Sequence, residues 1–334
     1  MSRPKVMASA WGRAARVALP ALCLALLTAC TAPRQELGER IRPPAMTDTA
    51  LLTADGLYLP LRRWGFDGLR QPKAVILALH GFADYRNAFA VPAPELAAAG
   101  FGVIAYDQRG FGAAPSAGAW PGADALTSDA RAALGLVAAR YPDRPLFLLG
   151  ESMGGAVAIL ALETPALPQN FAGALLVSPA LWSRDQMNPL ERAGLWLART
   201  IAPGLRLSGE GLDRQPTDNI DVLRRMARDP LVQKKIPIAM TAGLVDLMTA
   251  AYRTLPDHRV PTLALYGANE DIISDNAVQA FADTAPDSIA IRHYPGGYHM
   301  LLRDRGRAAV IADVIAWLAE KVQGTSGSGA QAKY

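Results

Sequence analysis

Cysteine is nearly absent from this sequence of 334 residues, which contains only Cys23 and Cys30. Two cysteines cannot form the disulfide framework that holds small secreted domains together. No group of cysteines and histidines has the spacing of a metal site either. These absences exclude a disulfide-rich scaffold and a zinc site of the usual kind.

Net charge is also lacking once the N-terminus is set aside. The formal net charge is +4, but Arg3, Lys5, Arg13 and Arg16 are the only charged residues before residue 30. The rest of the chain carries 30 basic and 30 acidic residues. A formally neutral chain offers no electrostatic footprint for DNA or RNA, so we expect no nucleic-acid partner.

The N-terminal apolar run, residues 17–27, is too short to span a membrane as a helix. It follows the four positive charges and has the length of a signal-peptide core. The motif LTAC, which ends at Cys30, resembles the lipobox of bacterial lipoproteins, in which the cysteine is lipidated and becomes the new N-terminus. The alternative is an ordinary secretory signal that is cut near Ala29 or Ala32.

These features predict how the chain ends are organised. Residues 1–29 are predicted to be a lipoprotein signal peptide, residues 30–46 a tether and residues 324–334 a flexible tail. Several acyl chains on Cys30 would anchor the protein stably in the bacterial cell envelope without a membrane span. Thr31 stands where aspartate often signals inner-membrane retention, so the outer membrane is preferred if the host has two membranes.

Strand-like and helix-like patterns alternate after residue 46, which predicts an α/β fold. Asp55 and Gly56 separate two apolar runs and predict a hairpin. Further strands are predicted over residues 74–79, 102–106, 146–149, 174–177, 262–266 and 289–294. Helices are predicted over residues 92–99, 123–140, 153–162, 275–284 and 306–322. We expect a mostly parallel central sheet flanked by helices, built from residues 47–178 and 260–323.

The segment 179–259 interrupts this alternation because it contains no evident strand. It is too long and too apolar for a loop, and its pieces have the spacing of amphipathic helices. Leu190, Ala193, Leu197 and Ile201 share one helical face; we expect most such residues to pack on the core. The segment is predicted to be a helical cap inserted after the sixth strand, over the sheet edge where open α/β sheets bind ligands.

The stretch LFLLGESMGGAVAIL places one serine at the junction of a strand and a helix. Ser152 follows a continuous apolar run and precedes a run of small residues, with Gly150, Gly154 and Gly155 where side chains would collide in a tight turn. The alternative is a structural serine in a glycine-rich turn. The strand before it and the helix after it favour a nucleophile at a sharp elbow.

A serine nucleophile needs a base, and the sequence offers four histidines. His299 follows the last predicted strand on a loop that is free to reach the serine, so it is the preferred base. His258 and His293 are interpreted as structural, and His80 as a residue that shapes a loop. The acid that orients the base should lie between Ser152 and His299 in the chain, where Glu270 and Asp271 are adjacent candidates.

Five motifs resemble the α/β-hydrolase superfamily, and within it the branch of monoacylglycerol lipases and lysophospholipases. They are LHGFADY, YDQRGFG, GESMGG, LYGANEDII and YHMLLRD. They occur in the family's order and span nearly the whole catalytic domain. The register of the family favours Glu270 over Asp271, although the family usually has aspartate there.

The resemblance also assigns roles to other residues. It implies that the backbone N–H groups of Phe82 and Met153 form the oxyanion hole. It implies that Asp107, Arg109 and Gly110, in the turn YDQRG, are structural rather than catalytic. Glu151 departs from the family, in which histidine is frequent at that position.

Together these observations predict a lipid-anchored serine hydrolase. It would cleave carboxylic esters through an acyl-enzyme, most readily monoacylglycerols or lysophospholipids, and neither a metal nor an organic cofactor is implied. Trp182, Met187 and Trp196 in the cap favour acyl chains over peptides. The alternatives are a short-chain esterase, an aminopeptidase-like hydrolase, or an inactive binding or scaffold lipoprotein. The sequence does not indicate an oligomeric state.

Overall fold

A computed structural model describes residues 35–66, 71–209 and 213–328. The predicted signal peptide, Cys30 and residues 329–334 lie outside the described residues. Eleven strands are assigned in this part of the chain: β1 (Ala45–Met46), β2 (Ala50–Leu52), β3 (Tyr58–Trp64), β4 (Ala74–Leu79), β5 (Phe101–Tyr106), β6 (Leu146–Glu151), β7 (Phe171–Val177), β8 (Arg206–Ser208), β9 (Lys235–Pro237), β10 (Thr262–Gly267) and β11 (Ile289–Tyr294).

Nine of these strands form one twisted sheet in the order β1-β2-β3-β5-β4-β6-β7-β10-β11. The strands from β5 to β11 in this order pair in parallel, whereas β1, β2 and β3 pair antiparallel at one edge. The predicted hairpin at Asp55 and Gly56 joins β2 and β3, and Gly56 has the positive φ that such a turn requires. The prediction of a mostly parallel sheet is confirmed.

Eight α-helices are assigned in the described residues. They are α1 (Pro92–Ala98), α2 (Ala123–Arg140), α3 (Met153–Leu162), α4 (Pro189–Ile201), α5 (Ile220–Arg228), α6 (Ile238–Thr254), α7 (Asp275–Thr284) and α8 (Arg307–Ser328). None of them is long and apolar enough to cross a membrane.

The helices cover both faces of the sheet, and the side chains of each strand alternate between them. In β4, Val75, Leu77 and Leu79 pack in one core cluster with α2, α3, α6 and α7. Ala74, Ile76 and Ala78 point to the other cluster, which α1 and α8 cover. Every residue of β4 is buried, which explains why this strand reads as a continuous apolar run.

Three details of the cap and the chain ends differ from the sequence-based expectations. The cap follows the seventh strand, because the two-residue strand β1 forms within the predicted tether. The cap contains the short strands β8 and β9, which pair with each other. Helix α8 continues to Ser328, so the residues immediately after 323 are helical.

Helix α4 is the largest departure, since the expectation that its apolar residues pack on the core is wrong. None of its residues is buried, and Leu190, Trp196 and Ile201 are 82%, 63% and 66% exposed. A capping box stabilises its start: the Asn188 side chain accepts from the Glu191 N–H, and Glu191 accepts from the Asn188 N–H. The helix therefore forms from local signals, and no part of the chain that the structure describes covers its apolar face.

Candidate active site

Ser152 occupies a strained turn between β6 and α3. Its φ of 53° and ψ of −116° lie outside the regions that a non-glycine residue normally adopts. Glycines make this turn possible, because a Cβ on Gly154 would lie 2.2 Å from the Leu79 carbonyl oxygen. A Cβ on Gly150 would lie 2.3 Å from the carbonyl oxygen of Gly154. The elbow predicted from the sequence is therefore present.

The backbone of Ser152 is tied to the neighbouring elements, whereas its side chain is free. The Ser152 N–H donates to the Val177 carbonyl (2.9 Å), and the Ser152 carbonyl accepts from Ala180 N–H (3.0 Å). Among the described residues, the hydroxyl has no hydrogen-bond partner, and the residue lines a cavity. A rigidly held serine thus presents an unengaged hydroxyl to this cavity.

His299 lines the same cavity and is held by Glu270. Its Nδ1 lies 2.7 Å from Oε2 of Glu270, and both side chains are almost fully buried. The other carboxylate oxygen of Glu270 accepts from the N–H groups of Ile272 (2.9 Å) and Ile273 (3.0 Å). Nε2 of His299 has no partner in the described part of the chain, so it is available to a group in the cavity.

The surroundings of Glu270 favour its charged form. Burial alone would raise the pKa of this carboxyl group. The hydrogen bond and the charge attraction from His299, together with the two amide hydrogen bonds, outweigh burial and lower the pKa of Glu270 below its usual value. A carboxylate that is ionised near neutral pH therefore faces Nδ1, which fixes the imidazole with its Nδ1 proton toward Glu270.

Asp271, the alternative acid, points elsewhere. Its Oδ2 accepts from the N–H of Gln215 in the cap (2.8 Å), and its own carbonyl accepts from Arg214. The structure therefore places Glu270, and not Asp271, beside His299. Asp271 links the loop after β10 to the cap.

The other histidines make structural contacts. His258 is buried and bonds through Nε2 to Thr262 (2.8 Å), and His293 is exposed on β11. His80 is buried, and burial lowers its pKa, so that the ring is neutral. Nδ1 of His80 donates to the Gly81 carbonyl (2.8 Å), and Nε2 accepts from Gln108 N–H (2.9 Å). His80 thereby shapes the loop of residues 80–85, hereafter the β4 loop.

The β4 loop brings Phe82 to the cavity wall beside Ser152. A Cβ on Gly81 would lie 3.3 Å from the Cβ of Ser152, which shows how closely the loop approaches the elbow. Met153 begins α3, where the first N–H groups have no acceptor within the helix. Within residues 35–66, 71–209 and 213–328, the N–H groups of Phe82 and Met153 have no hydrogen-bond acceptor. Both are thus free to donate to a ligand.

The cavity encloses about 290 Å³, and its wall is mostly apolar. The cap contributes Met226, Val232, Leu244 and Met248, among others. Leu244 and Met248 are one helical turn apart on α6 and share a face.

The three cap residues expected to favour acyl chains do not line this cavity. Trp182 packs against the core, Trp196 is exposed on α4, and Met187 lies outside the cavity wall. The acyl-chain expectation therefore depends on other cap side chains.

The turn YDQRG makes structural contacts that extend away from the cavity. Arg109 is buried and donates to both Asp55 (3.0 Å) and Asp129 (2.9 Å), which ties β5 to the β2–β3 hairpin and to α2. Asp107 accepts from the N–H groups of Arg86 (3.0 Å) and Ala113 (2.8 Å). Neither residue lines the cavity.

Sequence reasoning missed one group at the site. Arg303 lines the cavity and donates to Asp84 (2.7 Å) and Glu151 (2.8 Å), and all three side chains are buried. All three residues lie within motifs that resemble the family: LHGFADY contains Asp84, GESMGG contains Glu151 and YHMLLRD contains Arg303. Nothing in the local pattern indicates that they meet, because they are far apart in sequence.

In the described part of the chain, no group of three or more histidine, cysteine, aspartate or glutamate side chains could hold a metal ion. The site consists of a serine at an elbow, a histidine bonded to a buried carboxylate, and an apolar cavity beside them; the two unpaired amides belong to the elbow and to the β4 loop. On this fold, such a combination defines a serine hydrolase of the α/β-hydrolase class.

Comparison with known proteins agrees with this class. The family model described as serine aminopeptidase, S33, matches residues 70–306, and the chain belongs to that family. A monoacylglycerol lipase of Mycolicibacterium smegmatis is 25% identical over 74% of this chain and 88% of its own. A phospholipase of Bacillus subtilis is 29% identical over 72% of this chain and 93% of its own.

A solved structure shows the same fold. The crystal structure of a monoacylglycerol lipase from Paleococcus ferrophilus superimposes with a TM-score of 0.63 at 24% sequence identity. The match covers 79% of this chain and 99% of that one. The α/β-hydrolase fold expected from the sequence is confirmed.

Proposed function

We propose that this protein hydrolyses the carboxylic ester of monoacylglycerols, with Ser152, His299 and Glu270 as its catalytic triad. One observation carries the proposal. Nδ1 of His299 is engaged by a buried carboxylate while Nε2 is free, on the same cavity wall as the free hydroxyl of Ser152. This is the arrangement in which a histidine can accept the proton of a serine.

The reaction has two steps. In the first, Oγ of Ser152 attacks the ester carbonyl while Nε2 of His299 takes its proton, and the Phe82 and Met153 N–H groups donate to the oxygen that becomes negative. The tetrahedral intermediate collapses, His299 gives the proton to the leaving glycerol oxygen, and an acyl-enzyme remains. In the second, His299 takes a proton from water, the resulting hydroxide attacks the acyl carbonyl, and the fatty acid leaves as Ser152 regains its proton. Glu270 stabilises the charged imidazolium in both steps.

The cavity supports a lipid substrate. Its cap side is lined by Met226, Val232, Leu244 and Met248, which suit an alkyl chain better than a polar one. Several relatives bear the name monoacylglycerol or monoglyceride lipase, and this likeness supports the same substrate class.

Lysophospholipids are the second candidate, because the relative from Bacillus subtilis is a phospholipase. An aminopeptidase would need an anion to bind the ammonium group of a peptide. Asp84 and Glu151 are carboxylates on the cavity wall, but both are already bonded to Arg303. This pairing counts against the peptide alternative.

The test compares the wild-type protein with Ser152→Ala on three substrates: monoacylglycerols, lysophosphatidylcholine and an amino-acid p-nitroanilide. We expect serine-dependent release of fatty acid, fastest from a monoacylglycerol. Faster hydrolysis of lysophosphatidylcholine would favour the phospholipase alternative. Equal, measurable rates for wild type and Ser152→Ala would refute Ser152 as the nucleophile, and no hydrolysis of any of the three substrates by either protein would favour the scaffold alternative.

We also propose that lipid on Cys30 anchors the protein in the cell envelope. The described chain begins beside the cap, where Gln35 N–H donates to the Trp120 carbonyl (3.3 Å) and Glu36 shares a groove with Arg199 of α4. Helix α4 is therefore close to the proposed tether, and its exposed apolar face supports an orientation with the cap toward lipid. Incorporation of radiolabelled palmitate by wild type but not by Cys30→Ser would support the anchor, and density-gradient fractionation would show which membrane holds it.

A further inference from the structure

A buried cluster of charges beside the cavity has no part in the steps above. It consists of Asp84, Glu151 and Arg303, hereafter the Arg303 cluster. Nη1 of Arg303 donates to Oδ2 of Asp84 (2.7 Å), and Nη2 donates to Oε1 of Glu151 (2.8 Å). All three side chains are at least 93% buried. The remaining oxygen of Asp84 accepts from the Tyr85 N–H (2.8 Å).

Each member of the Arg303 cluster belongs to a different part of the site. Glu151 directly precedes Ser152. Asp84 follows Phe82 by two residues in the β4 loop, and Arg303 follows His299 by four residues in the loop of residues 295–306, hereafter the β11 loop. One guanidinium group therefore joins the elbow, the loop that carries one proposed oxyanion N–H, and the loop that carries the base.

A guanidinium suits this junction because its planar fork can donate to two acceptors at once. Burial opposes the charge of Arg303, but the two carboxylates outweigh it and raise the pKa of the side chain above its usual range. Buried charges are stable only when they are paired, so a displaced Arg303 would leave two carboxylates uncompensated. The two contacts therefore strongly restrict the relative positions of the three loops.

The cap restrains the β11 loop from its other side. Four successive cap residues, 216–219, form hydrogen bonds with this loop. The Pro216 carbonyl accepts from Met300 N–H (2.8 Å), and Asp218 accepts from Arg305 N–H (2.8 Å). Thr217 donates to Asp304 (2.5 Å), and Asn219 donates to the Arg303 carbonyl (2.9 Å). Asp304 also accepts from the N–H of Tyr298, the residue before His299 (2.8 Å). The backbone that carries Arg303 is thus fixed, and its side chain transmits that position to the elbow and the β4 loop.

We propose that Arg303 is a positioning residue, which holds Ser152 and the Phe82 N–H in register with His299 through Glu151 and Asp84. This role rests on the function proposed above. Glu151 then has a purpose at a position where related enzymes often have histidine, since it supplies the second partner of Arg303. Small displacements of reacting groups can lower a rate by about a hundredfold. Loss of the two hydrogen bonds of the Arg303 guanidinium should therefore lower kcat strongly and affect substrate binding less.

The main test is Arg303→Lys in the full-length protein in detergent, with Arg307→Lys as the matched control. Lysine keeps the charge but cannot donate through a planar fork to both acids. Arg307 lies in the same region and pairs with Glu95 (2.8 Å), but it is partly exposed and outside the cavity wall. A fluorophosphonate that labels the reactive serine counts the active molecules. With p-nitrophenyl butyrate as the substrate, kcat is expressed per labelled serine and KM is measured in the same assay.

We expect Arg303→Lys to lower kcat per labelled serine by about tenfold or more, with KM within about threefold of wild type. Arg307→Lys should stay within about twofold in both constants. A merely structural role of Arg303 would lower the amount of labelled protein and its thermal midpoint while leaving kcat per labelled serine unchanged. That outcome, or equal effects of the two substitutions, would overturn the proposal.

A second pair of variants covers the case in which Arg303→Lys does not fold. Glu151→Ala leaves Arg303 and Asp84 as a neutral pair, so no net charge remains buried. Glu151→Gln keeps an oxygen that can accept from Arg303. We expect kcat per labelled serine to fall clearly in Glu151→Ala and to recover in large part in Glu151→Gln; equal values for the two would overturn the proposal.

The failure of this proposal differs from the failure of the proposed function. If Ser152→Ala keeps wild-type activity, the assignment of the nucleophile is wrong. If Ser152→Ala is inactive while Arg303→Lys and Glu151→Ala keep the wild-type kcat, only the positioning role is wrong.

Discussion

Replacement of Glu270 by glutamine tests the assignment of the triad most directly. One carboxylate oxygen of Glu270 accepts from His299, and the other accepts from the N–H groups of Ile272 and Ile273. A glutamine has one oxygen and one NH₂ group to place in these two positions. Because two N–H donors face one position, the oxygen should occupy it, which leaves the NH₂ group facing Nδ1 of His299.

This arrangement harms catalysis in two ways. An NH₂ group requires Nδ1 to be an acceptor, so the imidazole proton moves to Nε2. A protonated Nε2 cannot accept the proton of Ser152. The imidazolium that forms in the reaction also loses its counter-charge. Unit charges with centres roughly 4 Å apart attract by about 4 kcal/mol at an effective dielectric constant of about 20. A barrier higher by about 4 kcal/mol corresponds to a rate lower by roughly a thousandfold.

The assay is hydrolysis of p-nitrophenyl butyrate by wild type, Glu270→Gln and the control Asp271→Asn. We expect kcat to fall by roughly a thousandfold in Glu270→Gln. Asp271→Asn should remain within about threefold, because Asp271 bonds to the Gln215 N–H on the cap and not to the base. Thermal unfolding of each variant shows whether the fold is retained.

Either of two results would refute this reasoning. A folded Glu270→Gln with more than about a tenth of the wild-type kcat would show that the carboxylate neither sets the tautomer nor stabilises the imidazolium. A folded Asp271→Asn with the larger loss would show that the acid of the triad is Asp271 and that the loop rearranges in the working enzyme.

Three further predictions concern the elbow, a buried histidine and the cavity. Gly154→Ala should destabilise the protein by about 1–3 kcal/mol or more, because its Cβ would meet the Leu79 carbonyl. Gly135 lies on an open face of α2, so Gly135→Ala should stabilise the protein by about 0.5–1 kcal/mol. Urea unfolding measures both changes, and equal effects of the two substitutions would contradict the packing described. Burial lowers the pKa of His258 from 6.5 to about 4, so between these pH values the unfolded chain binds a proton that the folded chain does not. The free energy of unfolding should therefore fall by roughly 3 kcal/mol as the pH decreases from 6.5 to 4. His258→Gln should flatten this part of the pH dependence measured by urea unfolding, and an unchanged slope would argue against a neutral buried ring. Leu244→Trp should fill the cap side of the cavity and lower kcat/KM for p-nitrophenyl decanoate by about tenfold or more relative to kcat/KM for p-nitrophenyl acetate. An equal loss on the two esters would show that acyl chains do not extend along α6.

Those parts of the fold that depend on local patterns could be predicted from the sequence. The buried parallel strands have unbroken apolar runs, such as Leu146 to Leu149, and each of them was recognised because burial on both faces requires such a run. The elbow was recognised because its glycines are close to Ser152 in sequence. The two-residue strand β1 was missed, since so short a strand has no periodicity to detect.

The cap shows the limit of periodicity. The spacing of Leu190, Leu197 and Ile201 predicts an amphipathic helix, and α4 is one. The same spacing does not indicate what covers the apolar face, and the expectation that it packs on the core was wrong. For the same reason, the sequence did not indicate that Leu244 and Met248, rather than Trp196, would line the cavity.

The candidate site also has residues that the sequence indicates and contacts that it does not. Ser152, His299 and the pair of acids could be chosen from chain order and their places after strands, but the choice between Glu270 and Asp271 depends on which side chain points toward the base. The Arg303 cluster joins residues 84, 151 and 303, so it exists only after the five neighbouring parallel strands from β4 to β11 have been placed side by side. A positioning contact of this kind leaves no local signal, although it decides whether the recognisable residues meet in a working geometry. The sequence therefore indicates the chemistry of the site, whereas the alignment of its parts depends on long-range packing of the sheet and the cap.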